Sequence, residues 1–223
     1  DYGAGAVLYI CLIAHIKFHR AGIRINTMIS FSFATAADLP SVDRLHLQTL
    51  GPSFMESASS KLRASCPADQ VMHIVAREEG KVVGSIQLRR IRLECVGCPS
   101  DQKISFLGPL VTSKFYQGMG LGSKLMDYGL SLLHKEGYRV VFLVGDATYY
   151  SRFGFFSVRP MNIALPDNKD RDRLLCKTLG RPFALPIYAR LAPYIGPDIV
   201  QCTADNAVIS PLKDEQPWRE HIT

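Results

Sequence analysis

Three glycines occur within the seven residues Gln117-Gly118-Met119-Gly120-Leu121-Gly122-Ser123, between a strand-like apolar run and an amphipathic helical pattern. Glycine has no Cβ atom, so the backbone of such a loop approaches a ligand closely. The free N–H groups of the following helical turn point at that ligand, and the helix dipole favours an anion there. The stretch, called the glycine loop below, therefore predicts a phosphate-binding site.

Two known kinds of glycine-rich phosphate loop do not fit this stretch. A P-loop requires the order G-x-x-x-x-G-K-[ST], whereas Gly122 is followed by Ser123 and then Lys124, which reverses the last two positions. A dinucleotide-binding loop requires G-x-G-x-x-G, and Ser123 or Leu125 occupies the position of its third glycine. Asp146, at the end of the next strand-like run, is the remaining feature in favour of a nucleotide-dependent oxidoreductase.

A third pattern, Q/R-x-x-G-x-G/A, is matched by Gln117, Gly120 and Gly122. Two further motifs flank it, since residues 106–112 read FLGPLVT ahead of the loop and residues 141–155 read VFLVGDATYYSRFGF behind it. In this order and spacing the motifs resemble the GNAT superfamily of acyl-CoA N-acyltransferases. The resemblance is closest to bacterial members with L-G-P-L before the loop and V-G-D-x-x-Y-Y-x-R-F-G-F after it. It covers residues from about 29 to about 160.

The resemblance implies a GNAT fold of the mixed α/β (α+β) class. Its central sheet is expected to begin with antiparallel strands and to continue, through a βαβ crossover, into two parallel strands that diverge and are flanked by helices. Gly108 and Pro109 support a splayed strand, because proline lacks a ladder donor and glycine in a strand indicates a bulge. Acetyl-CoA, the cosubstrate of this family, would enter between the diverging strands.

The resemblance also implies which residues bind the donor. The backbone of the glycine loop is expected to hold the pyrophosphate, through residues Gln117, Gly118, Met119, Gly120, Leu121, Gly122 and Ser123. The backbones of Leu110, Val111 and Thr112 are expected to hold the pantetheine arm and to direct an N–H group at the thioester carbonyl. Thr112 stands where relatives usually have Val, a difference that a backbone contact tolerates. The side chains of this run are equally expected to pack in a core strand.

Acetyl transfer to an amine also requires a proton for the departing thiolate. Tyr150 precedes Gly154 by four residues, the place where the family has a tyrosine whose hydroxyl reaches the CoA sulfur. A phenol with a reference pKa of about 10 keeps its proton at neutral pH. The alternative is that Tyr150 packs in the core like Phe153 and Phe155, and Tyr149 is the neighbour expected to pack.

No general base is identified from the sequence. Glu78, Glu79, Glu94, His73 and Asp146 lie on or near the ends of predicted strands. Charged residues there usually form a solvated face, and Asp146 is equally expected to cap the short helix that follows it. Loss of the amine proton through ordered water is equally compatible with the sequence.

Periodicity and turn residues predict the other elements. Strands are expected at 29–35, 73–77, 81–93, 104–112 and 140–144, with a hairpin turn at Glu79-Gly80. Helices are expected at 39–50 with Asp38 as N-cap, within 54–64, and from the glycine loop to Gly137. Residues 170–179 are expected to form a short helix, and a small C-terminal strand or lid to cover the substrate cleft.

Composition limits the classes of protein and partner. The chain has 223 residues, of which 47% are hydrophobic, and a net charge of +6. This size fits one domain with a substantial core and some appendages. The basic residues suit a polyanion such as CoA but are scattered, so nucleic acid is not an expected partner. A homodimer is compatible with the sequence.

The cysteines favour a reducing, cytoplasmic location. Six cysteines lack the density and spacing of a small disulfide scaffold. Cys95 and Cys98 form one C-x-x-C pair, but neither a second pair nor paired histidines complete a zinc site, so no metal is expected. The pair is expected to consist of ordinary thiols.

The first 27 residues differ from the rest of the chain. Residues 3–16 are apolar and uncharged, but this run is shorter than the ~20 residues that span a bilayer. The positive charges follow the run, whereas a secretory signal carries them ahead of it. No membrane segment is expected. We predict an N-terminal extension at 1–27, a GNAT acetyltransferase domain at 28–160, and a C-terminal extension or lid that continues the domain at 161–223.

These features together predict an N-acetyltransferase that transfers the acetyl group of acetyl-CoA directly to a primary amine of a small molecule or peptide. An alternative from a different class is a regulatory module with the same fold that holds acyl-CoA with little or no catalysis. The residues that select the acceptor are expected in the variable segments 50–68 and beyond Pro160.

Overall fold

The computed structural model describes residues 12–20, 23–52, 54, 57–95, 102–166, 170–180 and 183–195. In this part of the chain, ten strands form one mixed sheet with the order β1-β2-β3-β4-β5-β6-β9-β7, to which β10 and β8 are joined beside β4. The first five strands pair antiparallel, and β5 pairs parallel with β6. The mixed sheet predicted from the sequence is thereby confirmed.

The N-terminal half of the sheet consists of five strands. They are β1 (Leu12–Arg20), β2 (Ile23–Phe33), β3 (Val71–Glu78), β4 (Lys81–Glu94) and β5 (Ile104–Thr112). The β3–β4 hairpin turns at Glu79 and Gly80, as predicted, and both residues have positive φ angles of 47° and 80°. The strand predicted from Ile29 begins earlier, at Ile23, because it continues into a pairing with β1.

Two helices follow β2. The α1 helix (Leu39–Leu50) has Pro40 in its first turn, and α2 (Ala58–Ala64) lies within the predicted range. Asp38 stands at the N-cap position of α1 but makes no side-chain cap to it. Its carboxylate instead accepts hydrogen bonds from Thr35 and pairs with Arg77 of β3. Asp38 therefore ties the start of α1 to the sheet.

The crossover from β5 to β6 (Val140–Val144) runs through α3 (Leu121–Lys135). Apolar residues recur along one side of α3 at helical spacing, which explains both its formation and its packing on the sheet. The buried members of this stripe are Leu121, Leu125, Met126, Gly129 and Leu133. Gly137, with φ 79°, ends the segment in the left-handed conformation that follows many helices.

The C-terminal part adds α4 (Ala147–Tyr150) and four short strands. These are β7 (Phe156–Ser157), β8 (Ile163–Ala164), β9 (Leu174–Thr178) and β10 (Ala189–Pro193). The helix predicted at 170–179 is wrong: only residues 171–173 form a 3-10 turn, and β9 follows. The segment pairs with the edge of β6, which supplies its backbone hydrogen-bond partners. In this position Leu174, Leu175 and Cys176 are buried.

Two apolar clusters cover the two faces of the sheet. The α3 face buries Leu121 and Leu125 against Ile86 and Leu88 of β4. The α2 face buries Leu62 with residues of β4, β5 and β6, among them Ile91, Phe106 and Phe142. The side chains of β4 therefore face the two sides of the sheet alternately, as the pleat of a sheet requires.

Two findings concern the predicted location and environment. Among the described residues, no helix combines the length and the apolar character needed to cross a membrane. Cys95 is disulfide-bonded, which contradicts the expectation that it is an ordinary thiol; Cys98 lies outside the described residues. Cys66 and Cys176 are free.

Candidate active site

A gap opens between β5 and β6. The two strands pair only at Ile104–Phe106 with Val140–Phe142 in the described structure. Beyond Phe106, β5 continues to Thr112 along β4, while β6 remains paired with β9 as far as Val144. The predicted splayed pair of parallel strands is therefore present, and the backbone of β5 facing the gap is available to a ligand.

A bulge in β5 lies where the strands separate. The register of β4 against β5 shifts between Ile86 and Leu88, so that Gln87 faces the inserted Gly108-Pro109 pair. The bond between these two residues is cis, and Gly108 has a φ of 129°, which favours glycine. Arg89 donates a hydrogen bond of 2.6 Å to the Gly108 carbonyl. The predicted bulge is confirmed, and Arg89 fixes it from β4.

The backbone of β5 after the bulge alternates between β4 and the gap. The N–H of Ser113 donates to the carbonyl of Val83 at 2.8 Å, so Ser113 points its backbone groups at β4. Because successive strand residues alternate, Val111 also points its groups at β4, while Leu110 and Thr112 point theirs at the gap. The gap is lined by the N–H and C=O groups of Leu110 and Thr112.

The glycine loop lies at the mouth of this gap. Gly118 and Gly120 have φ angles of 75° and 85°, which fold the chain tightly into α3 and which other residues rarely adopt. The first backbone bond of α3 runs from the Lys124 N–H to the Gly120 carbonyl at 3.1 Å. The N–H groups of the three residues before Lys124 therefore precede the first helical bond and are free to bind a ligand.

Charge at the loop favours an anion. The first turn of α3 carries no acidic residue, and Gly120 caps the helix without a side-chain hydrogen bond. Lys114 and Lys124 are exposed on either side of the loop. Together with the helix dipole, these cations favour a ligand such as a pyrophosphate at this place.

Tyr150 lies at the end of α4, next to the gap. Its ring packs among aromatic side chains, with ring centroids 4.9 Å from Tyr149 and 6.0 Å from Phe155. Burial raises its pKa to about 12, and Tyr149 adds to the rise while Arg173 opposes it. The hydroxyl is therefore protonated at neutral pH, as a proton donor must be.

Gly145 makes room for the Tyr150 ring. A Cβ atom at residue 145 would overlap that ring, at 2.6 Å from its Cδ2 atom. We expect Gly145→Ala to displace Tyr150 and to lower the free energy of unfolding by about 1–3 kcal/mol, measured by urea denaturation. The matched control is the same substitution in a Tyr150→Ala background, where the ring is absent and the cost should largely disappear. An equal cost in both backgrounds would contradict the contact.

Tyr149 lies closer to the glycine loop than the sequence indicates. A Cβ atom at Gly122 would be 3.7 Å from the Tyr149 hydroxyl and 3.8 Å from Cγ2 of Thr112. The guanidinium of Arg152 stacks 4.0 Å from the Tyr149 ring and donates to its carbonyl at 2.9 Å. Tyr149 was predicted to pack, yet these distances place its hydroxyl at the mouth of the gap, beside the first turn of α3.

The α2 face carries a second group of polar side chains, here called the polar cluster. It comes from α1, α2, β3 and β4 and consists of His46, Arg63, His73, Ser85, Gln87 and Arg89. His73 contacts Ser85 at 2.7 Å and accepts a 3.4 Å hydrogen bond from Gln87 on its other ring nitrogen. Gln87 in turn accepts from Arg89, so the cluster is connected to the bulge in β5.

Burial sets the charges of the polar cluster. It lowers the pKa of His46 and of His73 to about 4, with the cations nearby adding to the effect and Asp43 opposing it. Both imidazoles are therefore neutral at pH 7. Burial also lowers the pKa of Arg63 and of Arg89 to about 10, at which both guanidiniums keep their charge.

Three of the four acids considered as bases from the sequence, all except Glu79, have other partners. Glu78 accepts a hydrogen bond from Tyr116, and Glu94 pairs with Arg92 at 2.8 Å in an exposed position. Asp146 accepts from the Thr148 N–H at 2.7 Å, which confirms the predicted cap of α4. Of the candidates, His73 lies in the polar cluster. Sequence reasoning missed the other members, although polar residues at 85, 87 and 89 alternate along one face of a strand.

The gap, the glycine loop and the tyrosines together form an arrangement that suits an acyl-CoA. Comparison with known families agrees, because residues 39–155 match the model of the acetyltransferase (GNAT) family. The chain belongs to this family and is an acetyl-CoA-dependent acyltransferase.

Individual relatives give the same result. The chain is 31% identical to an uncharacterized N-acetyltransferase of Escherichia coli, YjhQ, over 56% of this chain and 68% of the relative. The crystal structure of the Escherichia coli GNAT protein YhbS in complex with CoA matches with a TM-score of 0.60 and 23% identity, covering 74% of this chain and 91% of that one. An acetyltransferase of Brucella melitensis in complex with acetyl-CoA matches with a TM-score of 0.55 and 24% identity, covering 75% and 96%. The two structural matches support the fold.

Proposed function

We propose that the protein is an N-acetyltransferase that moves the acetyl group of acetyl-CoA directly to a primary amine of a small molecule or peptide. The observation that carries this proposal is the arrangement at the mouth of the β5–β6 gap, where the unbonded first turn of α3 adjoins exposed strand backbone. The diphosphate of acetyl-CoA would lie at the start of the helix, and its extended, amide-containing arm would lie along the strand edge. The two parts of the donor thus match the two features in the same order. The CoA bound to the Escherichia coli protein and the acetyl-CoA bound to the Brucella melitensis protein support the same assignment.

Each part of the donor has a proposed partner in the chain. The backbone of Gln117–Ser123 would bind the pyrophosphate. Leu110 and Thr112 would bind the pantetheine amides and direct an N–H group at the thioester carbonyl, since their backbone groups face the gap. The backbone groups of Val111 are directed at β4. Val111 would therefore act only by holding Leu110 and Thr112 in the strand with their backbone groups toward the gap.

Tyr150 is the proposed proton donor. As the amine nitrogen forms its bond to the acetyl carbon, the carbon–sulfur bond breaks and the electron pair leaves with sulfur. The Tyr150 hydroxyl would give its proton to that sulfur, and the proton lost by the amine would reach the resulting phenolate through solvent and restore the phenol. General acid assistance of this kind contributes about 10² to 10⁴ in rate. The aromatic contacts of Tyr150 hold the ring in place and do not exclude this role.

Four properties of the protein are proposed from the sequence alone. The boundaries of the catalytic domain and its extensions, a cytoplasmic location, compatibility with a homodimer, and the absence of nucleic acid among the partners remain predictions.

Calorimetry and a screen of amines test the proposal. We expect acetyl-CoA to bind with micromolar affinity, as is common for enzyme substrates, and NAD not to bind. Mass spectrometry of an amine library incubated with acetyl-CoA should then reveal a product heavier by one acetyl group. Tight binding of acetyl-CoA with no acetylated product from any amine would favour the regulatory module. No binding of acetyl-CoA at millimolar concentration would refute both.

A further inference from the structure

The polar cluster lies against the same gap as the donor site, but on the opposite face of the sheet. Tyr150 packs with the cluster of the α3 face, whereas Arg89 shares its side of β4 with Ile91 of the α2 face. Arg89 nevertheless reaches the Gly108 carbonyl of β5, next to the point where β5 leaves β6. A molecule bound on the α2 face at this point would meet the donor through the gap.

Open space adjoins the bulge. Gly108 is buried, yet a Cβ atom built on it would meet no atom within 4 Å. Two polar atoms of the cluster, Nε2 of His46 and Nε of Arg89, are buried without a hydrogen-bond partner in the described structure. Buried polar atoms are normally paired, so the unpaired Nε of Arg89, whose guanidinium reaches the bulge, is expected to bind a ligand.

The cluster carries positive charge that forms no ion pair with a carboxylate of the described residues. Arg63 donates to the hydroxyls of Ser59 and Ser60, and neither Arg63 nor Arg89 forms an ion pair within the described residues. Three acids outside the cluster act on it: Asp43 is exposed, Asp38 pairs with Arg77, and Asp170 lies 3.9 Å from Arg173. A buried guanidinium (Arg89) and a half-buried one (Arg63) that have no carboxylate partner among the described residues are costly, and an anion would offset that cost.

We propose that the acceptor is a small primary amine that carries a carboxylate, and that the polar cluster binds this carboxylate beside the bulge in β5. The inference rests on the proposed function, because it assigns the acceptor of the same reaction. Arg63 and Arg89 attract the carboxylate, and His46 supplies a neutral polar contact. The amino group of the same molecule then lies toward the gap, where the thioester is expected.

Matched pairs of amines that differ only in the carboxylate test the inference. L-leucine is compared with 3-methylbutylamine, L-phenylalanine with 2-phenylethylamine, and 4-aminobutyrate with propylamine, by measuring thiol release from acetyl-CoA. We expect the carboxylate-bearing member of at least one pair to have a kcat/KM about tenfold or more above its partner. Equal or better turnover of the neutral member in every pair that reacts would overturn the inference.

Arg63→Gln provides the matched variant. It removes one charge of the cluster from a half-buried helical position and should lower kcat/KM for the carboxylate-bearing amine about tenfold, with little change for the neutral amine. Lys61→Gln is the control, since Lys61 is exposed on the same helix and its replacement should leave both values unchanged. Equal losses for both amines in Arg63→Gln would mean that Arg63 has only a structural role.

A binding measurement keeps the test independent of turnover. N-acetyl-L-leucine and N-(3-methylbutyl)acetamide are titrated into the protein while the histidine ring protons are followed by NMR. We expect only the carboxylate to shift the resonances of His46 and His73, with weaker binding in Arg63→Gln. Absence of that difference overturns the inference even if acetyl-CoA binds. Failure of acetyl-CoA to bind, with the carboxylate still recognised, would instead refute the proposed function alone.

Discussion

Tyr150→Phe is expected to lower kcat by about 10² to 10⁴ while leaving the Kd for acetyl-CoA within about threefold. The substitution removes the hydroxyl and keeps the ring, so the aromatic contacts with Tyr149 and Phe155 persist. The departing thiolate then loses its proton donor, and binding of the nucleotide end is unaffected. Stopped-flow measurement of thiol release and calorimetry with acetyl-CoA give the two constants.

Tyr149→Phe is the control for this prediction. The two tyrosines are adjacent, and the Tyr149 hydroxyl also faces the mouth of the gap, near Gly122. We expect kcat in Tyr149→Phe to remain within about threefold of the parent, because a hydroxyl beside the first turn of α3 adjoins the phosphate end of the donor. If Tyr149→Phe loses turnover and Tyr150→Phe keeps it, the proton donor is Tyr149.

Gly122→Leu is expected to weaken binding of acetyl-CoA about 100-fold, which corresponds to ~2.7 kcal/mol. A side chain at this position starts between the Tyr149 hydroxyl and Cγ2 of Thr112, so leucine would fill the place where the loop meets the gap. Gly122 lies within α3, and leucine is a good helix former. The fold should therefore tolerate the change. Calorimetry gives the Kd, and thermal unfolding without ligand reports on the fold.

Gly122→Ala tests whether the bulk of the leucine side chain, rather than the loss of glycine itself, weakens binding of acetyl-CoA. Its Cβ atom would make contacts of 3.7 and 3.8 Å, which are ordinary van der Waals distances. Alanine also forms helices better than glycine, by about 1 kcal/mol. We expect a protein at least as stable as the parent that binds acetyl-CoA with less than a tenfold change in Kd. Similar affinities for the leucine and alanine variants would show that the donor does not pass residue 122.

Much of the donor site could be predicted because its signals are local. The glycine spacing, the stripe of apolar residues along α3 and the Gly108-Pro109 pair each indicate structure within a few residues of themselves. Gly118 and Gly120 adopt positive φ angles, which residues with a Cβ atom rarely do. The order of these segments along the chain was then enough to predict the mixed sheet.

The wrong predictions concern segments whose conformation depends on pairing with strands that are distant in the sequence. Leu174–Thr178 has no local feature that requires a strand, and its conformation depends on the free edge of β6. Similarly, β2 begins at Ile23 because it pairs with β1. Propensity is overridden in both places by backbone hydrogen bonding across the sheet.

The polar cluster was missed for a related reason. Its members come from four elements, and Arg89 stands in a basic stretch that resembles a solvated strand. The alternation of Ser85, Gln87 and Arg89, together with His73 on the preceding strand, was the signal available in the sequence. It indicates a polar face, but only the packing of α1 and α2 over it makes that face buried.

The pairing of β6 with β9 has a consequence for how the donor is received. All five residues of β6, Val140–Val144, have partners in β9, so β6 is held on the side away from β5. On the other side, Arg89 of β4 anchors β5 at its bulge. Neither strand is free to collapse onto the other. The gap is therefore fixed by the sheet itself, and binding of acetyl-CoA there, as proposed, would require no rearrangement of the sheet.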